Sequence, residues 1–219
     1  MKKTSVTLML LLAAMMMQAG ELINYSDAYI WAQSGRNTSK KGSALATSTG
    51  KTYSLTNVIS KTDPNDIDFL CVYGKTGKKG DKTFILFGPG NPTIAKFNWD
   101  KKEGTRPYCE MEATAGGEVD KDASLGGWDV RNETKIARAT GVDFDNATYE
   151  SIAALNPQGY LVNELEAGEV LMFETAATSK NPNKKGLIKI LAIEDDPDRP
   201  ERIGQGSYQK LLLDIKIQQ

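Results

Sequence analysis

The chain has 219 residues, 25% charged and 40% hydrophobic, which is the composition of an ordinary globular protein. Its 27 basic and 28 acidic residues nearly cancel, so no electrostatic drive towards nucleic acid or anionic lipid exists. Histidine is absent, which removes the usual base of serine and cysteine nucleophiles and the usual zinc ligand.

Residues 1–20 read as a signal peptide. Lys2 and Lys3 form a basic start, and Val6 to Met17 is an apolar run too short to span a bilayer comfortably. Met17-Gln18-Ala19 then offers a cleavage site. No Cys follows the run, so a lipid anchor has no attachment point there. Export to the periplasm, cell surface or medium is expected, with no membrane span after cleavage. Residues 21–219 are expected to form one mainly β domain, with a soft boundary allowed within 100–127.

The mature chain opens with Glu21–Ser26 and the aromatic Ala28–Ala32, a tether or an edge strand. Ser43–Thr47 and Lys51–Leu55 flank Ser48-Thr49-Gly50, the pattern of a tight hairpin. Ile67–Tyr73 is almost wholly apolar and predicts a central strand, with Thr83–Phe87 returning as its partner. Residues 101–127 are rich in turn formers, and a connection of that length signals a functional loop. Trp128–Arg138 predicts a further strand. Asp145–Leu155 predicts a helix, capped by Asp143 or Asp145, with Ala147, Ile152, Ala153 and Leu155 as its apolar stripe. Tyr160–Leu165 leads into the last third.

Three β-rich runs close the chain: Glu169–Thr175, Gly186–Ile193 and Leu211–Ile217. Breakers at 179–185 and 194–207 separate them, which predicts a three-strand antiparallel meander. Leu213, Ile215 and Ile217 alternate with Asp214 and Lys216, so one face is predicted buried and the other wet. The expected fold is mainly β (α+β as the alternative), with antiparallel sheets in a sandwich or open barrel and one short helix near 145–155.

Few motifs carry chemistry. Gly50-Lys51-Thr52 ends like a phosphate loop, but Leu45 stands where its first Gly is required, so a hairpin is the better reading. Lys75, Lys78, Lys79 and Lys82 make a solvated loop tip. Asp120 and Asp122 start like a calcium loop, yet Leu125 and Arg131 occupy its Gly and Glu places. Loose oxygen clusters at Asp120/Asp122 or at Glu194, Asp195, Asp196 and Asp198 are weighed against simple hydrated loops, and no metal or cofactor is assigned. Cys71 and Cys109 allow a disulfide, worth about 3–4 kcal/mol in the entropic model. Cys71 equally suits a β-core position. Trp99, Trp128 and Tyr108 are the candidate ligand-binding residues, as stacking platforms for a carbohydrate, with Trp31 and Tyr160 as further aromatics.

With GSALATSTGKTYSL (42–55), DIDFLCVYG (66–74), WDVRNETKI (128–136), GEVLMFET (168–175), KKGLIKILAI (184–193) and LLLDIKIQ (211–218) in view, the chain resembles a known group. It is similar to exported, often lipid-anchored, mainly β proteins of unknown function from Bacteroidetes-type bacteria, though without an anchoring Cys. The resemblance implies an envelope or extracellular location and transfers no functional residue. The function expected is a non-enzymatic binding module for a glycan or an envelope surface protein. A carboxylate-dependent glycoside hydrolase and a structural or assembly protein are the alternatives. In the assembly case, an edge strand such as 211–217 would pair with a partner chain.

Overall fold

Alternation of apolar and polar residues in the last third settles the first of two sheets. The structure, a computed structural model, describes residues 20–32, 41–54, 64–74, 82–91 and 132–219. In β10 (Gln209–Gln218) Leu211, Leu213, Ile215 and Ile217 are fully buried, while Leu212, Asp214 and Lys216 between them are half-buried. It pairs antiparallel with β9 (Lys185–Asp195), which pairs antiparallel with β8 (Val170–Glu174). The meander therefore forms as the alternation predicts. β6 (Lys135–Arg138) adds to β8, and β1 (Leu22–Trp31) adds to β10, giving a five-strand order β1-β10-β9-β8-β6.

The second sheet has the order β3-β2-β4-β5-β7. β2 (Ala44–Ala46) and β3 (Lys51–Tyr53) form the hairpin expected around Gly50, whose φ of +66° glycine adopts without strain. β4 (Phe69–Gly74) is central and almost wholly buried, as its apolar run requires, and β5 (Thr83–Phe87) returns beside it. β7 (Leu161–Val162) closes the row. Every pairing in both sheets is antiparallel, and the sheets do not close into a barrel.

The sheets share one core. Ile30, Leu45, Phe69, Leu86, Phe173, Ile188 and Ile215 belong to a single buried cluster. Phe69 of the second sheet meets Phe173 of the first edge-to-face, 5.4 Å between ring centres, the geometry that the ring quadrupoles favour. Cys71 lies in this cluster as a free thiol, and burial pushes its pKa up. Cys109 lies outside the described residues, as does the soft boundary at 100–127.

Three expectations are corrected. The helix, α1, spans only Tyr149–Ala153. Thr148 caps it in a reciprocal box with Ser151, whereas Asp143 caps the preceding turn by accepting from the Asp145 and Asn146 amides. Ile152 is buried but Ala153 is exposed. Secondly, the outer face of the meander is not simply wet. Phe144, Ile152 and Leu187 make a small cluster there. Lys185 donates to the carbonyls of Ala153 and Leu155 at the helix C-terminus, and Lys189 pairs with Asp145 at 2.9 Å. The polar positions of the strands thus hold the 143–155 segment down. Thirdly, β10 is not an edge. β1, which runs unbroken through both N-terminal segments of the pattern, covers it.

Candidate functional site

The two edges of the sandwich are finished differently. At β6 and β7 the sheets are tied together: the Ile136 amide donates to the Gly159 carbonyl at 2.7 Å, and Arg138 donates to the carbonyls of Asn163 and Glu164. At the other side the edge strands β1 and β3 face each other and are joined at few points. The Trp31 amide donates to Gly42, and the Tyr25 hydroxyl donates to the Ser48 carbonyl at 2.7 Å. Between these ties lies an open groove of about 500 Å³, walled by Asn24–Tyr29 on one side and Thr49–Tyr53 on the other.

A bulge shapes the β1 wall. The register with β10 slips between Tyr25 and Ala28, and Asp27 takes a φ of +55°. Before the bulge Ile23 and Tyr25 pack on the core; after it, Ala28, Ile30 and Ala32 do. The extra residue reverses the parity of the strand, so Tyr29 points out of the core and is 43% exposed. Asp214 of β10 accepts from the Asp27 amide at 3.1 Å and holds the bulge in place. On the β3 side Gly50 lets the hairpin approach the Tyr25 ring, since a Cβ there would lie 2.5 Å from its Cγ. Burial, assisted by the charge of Asp66, pushes the Tyr25 pKa up, so the hydroxyl keeps its proton and remains a donor.

A buried polar cluster fixes the hairpin that forms the β3 wall. Asp68 is fully buried and accepts from the Thr47 amide at 3.0 Å and from the Thr47 and Ser179 hydroxyls. Asn132 joins the same cluster by donating to the carbonyls of Asn65 and Ile67, and Thr178 donates to the Asn132 side-chain oxygen at 2.9 Å. Asp66 accepts from Ser48 in the turn itself. Desolvation raises the Asp68 pKa to about 6; the Ser179 and Thr47 hydrogen bonds work against that rise, and Asp66 adds to it. Asp66 and Asp68 are two near carboxylates, but both hold loops and neither lines the groove.

The candidate residues fall as follows. Trp99, Trp128 and Tyr108 lie outside the described residues, as do Asp120, Asp122 and residues 1–19. Trp31 is only 8% exposed and is covered by Lys41, 4.2 Å from its ring centre, so it offers no stacking face. Tyr160 lines a second cleft at the opposite edge. Of the acidic run, Asp196 pairs with Lys41, Glu194 pairs with Lys210 at 3.0 Å, and Asp195 accepts from Gly204 and Gln209. The groove tyrosines Tyr25, Tyr29 and Tyr53 escaped the sequence reading, because it divided Tyr25 and Tyr29 between two short segments, Glu21–Ser26 and Ala28–Ala32, that the fold joins in one bulged strand. The change of apolar parity between Tyr25 and Ala28 was the available signal.

The fold defines an antiparallel two-sheet protein with an open groove between the edge strands β1 and β3. No family profile matches the sequence, and no curated protein does. In fold the chain is similar to a DUF4466 family protein from Parabacteroides merdae, known from a crystal structure, with 11% identity, 90% of this chain covered and a TM-score of 0.48. The match takes in 54% of that protein's length. No helix among the described residues is long and apolar enough to cross a membrane.

Proposed function

We propose that the protein is an exported, non-enzymatic binding module and that the seam between β1 and β3 takes a glycan. The observation that carries this reading is the groove's lining. Tyr53 and the face of Tyr29 left open by Lys210, whose Nζ lies 5.5 Å from the Tyr29 ring centre, offer apolar surface with polar tips, and Asn24, Asp27, Lys51 and Thr52 surround them with donors and acceptors. A sugar presents the matching surface, with C–H faces for the rings and hydroxyls for the polar groups. Both walls are edge strands, so backbone groups add to the polar side. The volume suits a short saccharide, within the ~300–1,000 Å³ range of ligand sites. The basic start and apolar run of residues 1–20 support export.

The test is a glycan array probed with the mature protein and with Tyr29→Ala and Tyr53→Ala. Binding lost in both variants, with melting curves unchanged, supports the seam. Loss in Trp99→Ala or Trp128→Ala instead, with the tyrosine variants unaffected, moves the site to the segment before residue 132. A second reading rests on β1 being a ten-residue edge strand: a protein partner adds a strand there. A failed array followed by capture of an envelope protein that the β1 variant Tyr29→Pro does not capture favours that reading.

A further inference from the structure

The β6 side of the first sheet carries a second cleft, of about 310 Å³, where β6 and β8 meet the loop after β8. Lys135 and Glu174 are register partners across the two strands, so their side chains leave the same face. Glu133 lines the cleft beside them, and Tyr160, Ala176 and Asn183 complete the wall. Among the described residues, the side chains of Glu133, Lys135 and Glu174 take part in no ion pair or hydrogen bond. Two negative ends and one positive end therefore face one small space with no direct contact between them.

We propose that this cleft binds a free α-amino acid. Its carboxylate would meet Lys135, its ammonium would sit between Glu133 and Glu174, and its side chain would lie against Tyr160 and Ala176. The charges select this class. A simple anion would face two carboxylates, a simple cation would face the lysine, and a neutral sugar would desolvate all three charges without pairing them. The volume is at the lower limit of ligand sites, which fits a single small molecule rather than a chain. Lys135 and Glu174 are half-exposed, so solvent screens the contacts and the affinity is modest. The inference is independent of the seam.

The test is titration of the whole protein with each of the common free amino acids, read by calorimetry and by amide shifts in NMR spectra. At least one is expected to bind with a Kd of about 1 mM or tighter. Its methyl ester and its N-acetyl form, each lacking one charge, should bind about tenfold more weakly. Lys135→Met should weaken the amino acid and strengthen the methyl ester, because the remaining charges are both negative. Glu174→Gln should weaken both, and Tyr29→Ala should leave them unchanged. The proposal is overturned if no amino acid binds at about 10 mM, if capped and uncapped forms bind alike, or if Lys135→Met shifts both ligands in the same direction. The two cleft substitutions lie on half-exposed side chains, and matching melting curves check that the variants are folded.

Discussion

Asp68 should make the protein less stable as the pH rises from about 4 to about 7. Its pKa is about 6 in the folded protein against a reference of 3.8. Between those values the unfolded chain has released this proton and the folded chain still holds it. Unfolding then releases one proton, so its free energy falls by about 1.4 kcal/mol per pH unit. Over a window of about two units the loss is about 3 kcal/mol. The contribution is complete below the unfolded value and is gone once the pH has passed through the folded one. Asp68→Asn isolates the effect from other carboxylates. The amide oxygen can still accept from Thr47, and the amide N–H₂ can donate to the Ser179 hydroxyl, which turns to accept; only the long 3.4 Å contact from the Asn132 side-chain amide is lost. Urea unfolding of both proteins from about pH 4 to pH 8 should give stabilities within about 1 kcal/mol at the acid end. The variant should then be the more stable by about 3 kcal/mol at the neutral end. Parallel profiles would refute the reasoning. So would a variant that loses most at neutral pH, since that is the behaviour of a carboxylate its donors stabilise in the charged form.

The remaining predictions concern packing and the two clefts. Ile215 is fully buried between Ile188 of β9 and Tyr25 of β1, so Ile215→Asp places an unpaired charge in the core and should cost several kcal/mol. A melting curve equal to the parent's would mean the buried face of β10 is wrongly assigned. Gly186 lies beneath the Phe173 ring, and an added Cβ would stand 2.5 Å from the Lys216 carbonyl oxygen. The ring can move but the backbone of a paired strand cannot, so Gly186→Ala should lower stability by about 1–3 kcal/mol in denaturant titration; an unchanged midpoint would show that β9 and β10 have slack between them. For the groove, loss of glycan binding in Tyr29→Ala and Tyr53→Ala is expected on the array. For the β6 cleft, opposite responses of amino acid and methyl ester to Lys135→Met are expected in calorimetry.

The amino-acid pattern alone determined the strands whose one face is buried. Alternation in Leu211–Ile217, the apolar run at Ile67–Tyr73 and the Gly50 turn are local properties, and each points to an element without reference to the rest of the chain, though the second strand, β4, starts only at Phe69. The helix was legible in type but not in length, because Asp143 and Asp145 are good capping residues while in the fold Thr148 caps the turn that packs Ile152 with Leu187. Tertiary structure alone decided which strands are edges. β10 reads as a free last strand until β1, 187 residues away at the Asp27–Asp214 contact, covers it. The site depended on the same long-range closure. One bulge residue reverses the parity of β1 and turns Tyr29 outward, and a groove stays open between β1 and β3 where Tyr25 and Trp31 tie the two sheets on either side of it. Register and closure arise from pairings between distant segments, and a local pattern of side chains does not encode them.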